Sequence, residues 1–209
     1  MRKPIIHIVD DDVELVDSYT LLLQTMGWEV ASYGSGSDFL ERADLSAPGC
    51  IVLDMRMPGM TGLEVQEALG ARGCRIPILF LSAHGSISIA VQAVQHGASD
   101  FLEKPVEPLV LVQKVSQAVA FCIEQMTEQV QADDFKNKFN TLTPREKDVI
   151  KEVLAGAQNK EAARTLGLEV STIKMHRANA FAKLGVHSQS ELIKLAYANK
   201  LIDATKKNS

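Results

Sequence analysis

The chain has 209 residues, of which 46% are hydrophobic, 23% charged and 5% aromatic, a composition that excludes collagen-like, low-complexity and disulfide-scaffold classes. Its length allows one large domain or two small ones, each able to bury a core without staples. The formal net charge of −4 hides an asymmetry: residues 1–120 hold 8 Lys+Arg against 15 Asp+Glu, residues 121–140 hold 2 against 4, and residues 141–209 hold 12 against 7, giving −7, −2 and +5; the acidic front should seek a cation or phosphoryl donor and the basic rear a polyanion.

Cys50, Cys74 and Cys122 are odd in number and set among apolar neighbours, so they read as small buried hydrophobes rather than a disulfide framework or zinc site. No apolar run approaches the length that spans a bilayer, and the opening Met-Arg-Lys-Pro lacks the apolar core of a signal peptide. A cytoplasmic protein with no membrane partner is expected.

Residues 4–9 (PIIHIV) form a β-branched apolar run that ends in three acids, Asp10, Asp11 and Asp12. The stretch behind them, with Val13, Val16, Leu21, Leu22, Leu23 and Met26, has helical spacing and stops at Gly27. The β-α pattern then recurs. Strands are predicted over 29–33, 49–53, 77–81 and 100–102, with helices over 37–43, 62–71, 86–95 and from Pro108 onward. Five repeats in this length predict a doubly wound parallel sheet with helices on both faces.

In such a sheet the strand carboxyl ends share one edge. The acids after strand one, Asp54 after strand three, Ser82 after strand four and Lys104 after strand five would therefore face one another. Each fits a step of phosphoryl transfer. Asp10, Asp11 and Asp54 offer oxygens to Mg²⁺ or Mn²⁺, hard ions that take a few carboxylates and keep waters. Asp54 can act as nucleophile once the metal screens it from the donor. Ser82 can donate a hydroxyl to a transferred oxygen, and Lys104 can place a point charge on another. An isolated Asp before a turn is more often a cap; the convergence of several polar residues reverses that preference. Gly34-Ser35-Gly36 suggests a dinucleotide loop, but it follows the second strand and Phe39 occupies the third glycine position, so no nucleotide-binding residues are assigned. His84 either tunes water access to the acyl phosphate or lies on the solvent side of its loop.

The segments HIVDDD, LDMRMPGM, LSAHG and FLEKP, in this order and spacing, resemble the receiver domain of two-component response regulators over about residues 4–121. That resemblance implies a sensor histidine kinase as phosphoryl donor, Asp54 as acceptor, Asp10 and Asp11 as the acidic pair, and the backbone carbonyl of Arg56 as a further metal ligand. It also implies that Ser82 and Phe101 move on phosphorylation, that the Lys104–Pro105 bond is cis, and that the receiver dimerises through residues 87–96 and the strand near Phe101, with Val91, Val94 and Ala98 contributing.

Residues 122–140 are a linker that either extends the preceding helix or forms a charged tether. Beyond it, Thr143-Pro-Arg-Glu146 is a capping box with proline at the first helical position, and Asn159 caps a second helix closed by Gly167. A third helix spans 170–184 and Ser188-Gln-Ser-Glu191 opens a fourth. Two short helices joined by a glycine turn make a helix-turn-helix. The segment from LTPREKDVIKEVLAG through NKEAARTLG to STIKMHRANAFAKLGV is similar to the LuxR-type output domain of the NarL/FixJ class over about residues 141–200. The resemblance implies a DNA operator as partner, RNA polymerase as a further one, and Thr172, Lys174, Met175, His176 and Arg177 as groove-facing residues, with Lys183 on a phosphate. Two positions depart from the family: Ala162 replaces a larger aliphatic, which predicts looser packing, and Glu169 replaces the serine that caps the recognition helix.

The expected organisation is thus a (βα)5 receiver over 1–121, a linker over 122–140 and a four-helix DNA-binding domain over 141–209. Two other protein classes compete with this organisation. An aspartyl-phosphate phosphatase of the haloacid dehalogenase type needs a second Asp two residues after the nucleophile, and Arg56 stands there. The expected protein is therefore a regulator and not an enzyme, apart from Mg-dependent self-phosphorylation and slow hydrolysis of its own acyl phosphate. A DNA-binding protein or scaffold indifferent to phosphorylation has no use for the intact acidic set.

Overall fold

Near-continuous apolar strands need cover on both faces, and alternating side chains decide which helix covers which face. A computed structural model of the chain describes residues 2–83 and 98–199. The helix expected over 86–95, His84 and the dimerisation residues over 87–96 lie outside these. The chain forms two units, Met1–Met126 and Thr127–Ser209.

In the first unit β1 (Ile5–Val9), β2 (Glu29–Tyr33), β3 (Gly49–Asp54), β4 (Ile78–Ser82) and β5 (Asp100–Glu103) form one parallel sheet in the order β2-β1-β3-β4-β5. Among the described residues, the helices of this unit are α1 (Val13–Thr25), α2 (Gly36–Arg42), α3 (Gly62–Ala71) and the start of α4 (Pro108–Asn140). Along β1, Ile6 and Ile8 pack with Leu23 of α1 and Leu111 and Val115 of α4. Val9, on the other face, packs with Phe39 of α2 and Val65 and Leu69 of α3. β3 splits the same way: Cys50 and Val52 join the first cluster, Ile51 and Leu53 the second. Each such fully buried aliphatic contributes about 1.5–3 kcal/mol, which fixes the register because a one-residue slip would move every strand side chain to the opposite face, against the wrong helices.

β1 lies between β2 and β3, so the chain reverses its direction of winding there, and a crevice opens at the carboxyl ends of β1 and β3. The predicted strands hold with shifts of one residue: β3 includes Asp54, and β4 runs Ile78–Ser82 instead of 77–81. α2 begins at Gly36, with Ser35 accepting from the Asp38 amide at 3.2 Å, so the Gly-Ser-Gly stretch is a helix start.

The stretch 122–140 is helical throughout. α4 runs unbroken over Pro108–Asn140, its Cys122 and Met126 packing into the first unit and its Phe135 and Phe139 into the second. The expected domain boundary at 121 therefore falls inside a helix. The second unit adds α5 (Pro144–Leu154), α6 (Asn159–Leu166), α7 (Val170–Leu184) and α8 (Gln189–Ala198) around one core that includes Val149, Ile150, Ile173, Ala180 and Leu192. α5 has the expected capping box at Thr143 and Glu146. Asn159 proves to be the first residue of α6 and Gln158 its cap position, the Glu161 carboxylate reaching back to the Gln158 amide at 2.7 Å. At α8 the reciprocal half of the expected box is displaced by one residue, Glu191 accepting from the His187 amide at 2.8 Å. Ala162 is buried in the core, and Glu169 stands at the α7 cap without a side-chain cap bond.

Candidate acidic cleft and nucleic-acid interface

Asp54 ends β3, where the buried strand meets a loop, and it is only 5% exposed. Its Oδ2 accepts from the Arg56 amide at 2.7 Å, and its Oδ1 meets the Lys104 ammonium at 2.5 Å. Lys104 also holds Asp10 Oδ2 at 2.6 Å. The lysine is delivered by the β4–β5 ladder: its amide donates to the Ser82 carbonyl at 2.8 Å, and the bond to Pro105 is cis. Asp10 Oδ1 accepts from the Asp12 amide at 3.0 Å, while Asp12 caps α1 through the Leu15 amide at 3.1 Å. The three consecutive acids thus divide: Asp10 is buried in the cleft, Asp11 is exposed at its edge, and Asp12 belongs to the helix.

The floor beneath Asp54 depends on a glycine. The Gly62 amide, at the first residue of α3, donates to the Met55 carbonyl at 3.1 Å. A Cβ at this position would collide with the Asp54 carbonyl oxygen and come within 2.9 Å of Phe80 Cε1. The helix can approach the strand end this closely only without a side chain.

One oxygen from each of Asp10, Asp11 and Asp54 lies within 4.8 Å of the others. Three carboxylates and one ammonium leave two net negative charges at the mouth of a cleft of about 150 Å³, which Ser82, Arg56 and Met55 also line. Burial raises the Asp10 pKa above the usual carboxylate range, against the hydrogen bond from Lys104. Burial by itself would lower the Lys104 ammonium, but the two carboxylates outweigh it and hold its pKa above the ordinary lysine value. A compact, all-oxygen set with a charge deficit of two suits a hard divalent ion. Ser82 is 3% exposed at the end of β4, facing this cleft. Phe101 is half-buried on β5 and packs against the cluster that holds Leu53 and Phe80. Ala98, expected on a dimer face, is buried in that same cluster.

In the second unit α6 and α7 are joined by Gly167, whose φ of +63° is the left-handed turn a helix-turn-helix requires. α7 buries Ile173, Ala180 and Leu184, which turns Ser171, Lys174, Met175, Ala178 and Asn179 outward. Thr172 and His176 are half-exposed at the margins. Two expected DNA contacts are engaged within the protein. Lys183 donates to Glu146 at 2.8 Å, and that pairing, with the Thr143 amide, draws the Glu146 pKa down to about 2. Arg177 is half-buried, its Nη1 donating to Asn159 Oδ1 at 3.2 Å. Ala178 was absent from the expected set, although its place one turn after Lys174 puts it on the same exposed face.

Residues 6–116 match the family described as response regulator receiver domain, and residues 140–196 match bacterial regulatory proteins of the luxR family. The chain is similar to the transcriptional regulatory protein TdiR of Thauera aromatica, at 39% identity over 90% of this chain and 83% of that one. It is also similar to the transcriptional regulatory protein FixJ of Bradyrhizobium diazoefficiens, at 35% identity over 91% and 93%. Among solved structures, the response regulator StyR aligns with a TM-score of 0.81 at 39% identity over 94% of this chain and 99% of that one. Full-length FixJ from B. japonicum aligns at 0.59, with 33% identity over 97% and 100%.

Proposed function

This chain belongs to the transcriptional response regulators, which join a receiver domain to a LuxR-type DNA-binding domain, and we propose that it is switched at Asp54 by a phosphoryl group taken from a sensor histidine kinase. The observation that carries this reading is the buried Asp54 carboxylate, tied to Lys104 and the Arg56 amide and flanked by Asp10 and Asp11.

An Asp54 oxygen attacks phosphorus, the new O–P bond forms as the N–P bond of the kinase phosphohistidine breaks, and the imidazole leaves with the electron pair. Asp10, Asp11, Asp54 and the Arg56 carbonyl would hold a Mg²⁺ or Mn²⁺ ion, whose charge would screen the repulsion between this carboxylate and the incoming group. Lys104, already against Asp54, pairs its ammonium with a phosphoryl oxygen. Ser82 donates a hydrogen bond from its hydroxyl to another, and Phe101 turns inward. The receiver then dimerises and pairs two output domains with two half-sites, strengthening operator binding without any new base contact.

On the DNA side, the exposed face of α7 enters the major groove with Lys174 and Met175 toward base edges and Thr172 and His176 at its margins. The protein acts in the cytoplasm, with RNA polymerase as a candidate downstream partner. No helix among the described residues is long and apolar enough to cross a membrane. The protein turns over no external substrate, because Asp54 lacks an acid-base partner two residues on: that position is Arg56. The test is acetyl phosphate with Mg²⁺, following oligomer size by light scattering and operator binding by fluorescence anisotropy. Wild type should dimerise and bind more tightly, and Asp54→Asn should do neither while keeping its fold. A phosphate-stimulated dimer in Asp54→Asn would overturn the assignment.

A further inference from the structure

Arg177 lies on α7 between half-exposed His176 and exposed Ala178, and its side chain bonds back into the protein. Its Nη1 donates to Asn159 Oδ1 in the first turn of α6 at 3.2 Å, and its Nη2 reaches Gln189 Oε1 at the start of α8 at 3.5 Å. The guanidinium lies 5.1 Å from the centre of the Phe181 ring, one turn along α7. Gln189 carries the chain of contacts further, its Nε2 donating to the Val153 carbonyl in the last turn of α5 at 3.0 Å. One guanidinium therefore links α7 to α6 and α8 directly, and to α5 through Gln189.

The consequence is orientational. Apolar packing of Ile173, Ala180 and Leu184 presses α7 onto the core, but the hydrophobic effect behind that burial is non-directional. A planar fork with two donors aimed at two acceptors on different helices is directional. Successive residues of a helix point about 100° apart, so a rotation by a fraction of that angle would already carry Lys174 and Met175 away from the direction they share.

We propose that Arg177 is a positioning residue for DNA recognition: it fixes the rotation of α7 through Asn159 and Gln189 and makes no groove contact itself. This rests on the reading of α7 as the recognition helix. The two are tested together on full-length protein, with a duplex selected by the beryllofluoride-activated protein and an unrelated duplex as probes, at several salt concentrations.

Arg177→Met should weaken the selected duplex roughly tenfold, leave the unrelated duplex unchanged, and keep the slope of log affinity against log salt at the wild-type value. Arg177→Lys should not restore affinity, since an ammonium cannot serve both acceptors in a fixed plane. Asn159→Ala should reproduce the loss, and the double variant should be no weaker than Arg177→Met alone, as expected for residues acting through one network. A slope shallower by about 0.9 in Arg177→Met, the signature of one lost phosphate contact, would overturn the proposal. So would full rescue by lysine or additive losses with Asn159→Ala. Lys174→Ala separates the two layers: undiminished binding to the selected duplex in that variant would overturn the assignment of α7 itself, and the role of Arg177 with it.

Discussion

His7 should make the receiver unit lose stability in mild acid. It lies on β1 with 1% exposure, its Nδ1 3.3 Å from the Tyr33 hydroxyl and its ring 5.9 Å from that of Tyr33 and 5.7 Å from that of Phe39. Burial draws its pKa from 6.5 to about 4, with the Asp44 charge pulling weakly the other way. The folded pKa is the lower one, so the unfolded chain binds the proton first as pH falls. Stability from the neutral ring is complete above about pH 6.5 and is lost progressively toward pH 4. At ~1.36 kcal/mol per unit the full difference is about 3 kcal/mol, of which about 2 kcal/mol falls between pH 7 and pH 5. Urea unfolding followed by fluorescence reads this unit alone, because the single tryptophan, Trp28, packs against its core. A loss of about 2 kcal/mol should lower the urea midpoint by about 1 M. His7→Phe keeps a ring between Tyr33 and Phe39 and should remove most of that shift, while every other titration is common to both proteins. Equal midpoint shifts in wild type and His7→Phe, or an imidazole that titrates by NMR near 6.5, would refute the reasoning.

The floor of the acidic cleft gives a second expectation: Gly62→Ala should cost about 1–3 kcal/mol by overpacking, read from the same Trp28 transition, and slow phosphoryl uptake from acetyl phosphate. An unchanged midpoint would mean that α3 can retreat from Asp54 freely. Lys104→Met removes the ammonium that competes for Asp10 and Asp54, so Mg²⁺ should bind more tightly by calorimetry, on the order of tenfold, although the variant loses the charge needed on the phosphoryl group; weaker Mg²⁺ binding would count against that competition. In the output unit the Glu146 pKa is depressed to about 2 by Lys183 and the Thr143 amide, so its contribution is complete above the ordinary carboxylate range and is lost as pH falls toward 2. Glu146→Gln should therefore melt at lower temperature than wild type near neutrality by circular dichroism, with the gap closing in acid; a gap independent of pH would show that the hydrogen-bonded shape of residue 146, not its charge, matters.

Much of this protein was legible in one dimension. The runs HIVDDD and IVLD are apolar strands that end in acids, and five β-α repeats leave few ways to wind a parallel sheet. The strand order therefore brings Asp10, Asp54, Ser82 and Lys104 to one edge, and the capping residues Thr143 and Ser188 mark helix starts by local hydrogen bonding alone. These features are set by neighbours in sequence or by the period of the side chains, so the sequence by itself determines them.

What only the tertiary structure decided depends on partners far apart in the chain. Residues 122–140 carry a polar pattern that suits either a tether or a helix; Phe135 and Phe139 find buried partners in the second unit, and α4 runs unbroken through the stretch. Asp10, Asp11 and Asp12 are alike in sequence, and only the fold gives Asp10 to Lys104, Asp11 to the cleft edge and Asp12 to α1. Arg177 and Lys183 are indistinguishable from Lys174 as basic residues on one helix. Asn159 and Gln189, eighteen and twelve residues from Arg177, and Glu146, thirty-seven from Lys183, tie those two side chains to other helices, because the direction of a long cationic side chain is set by the acceptor within its reach and no local pattern encodes where that acceptor will be.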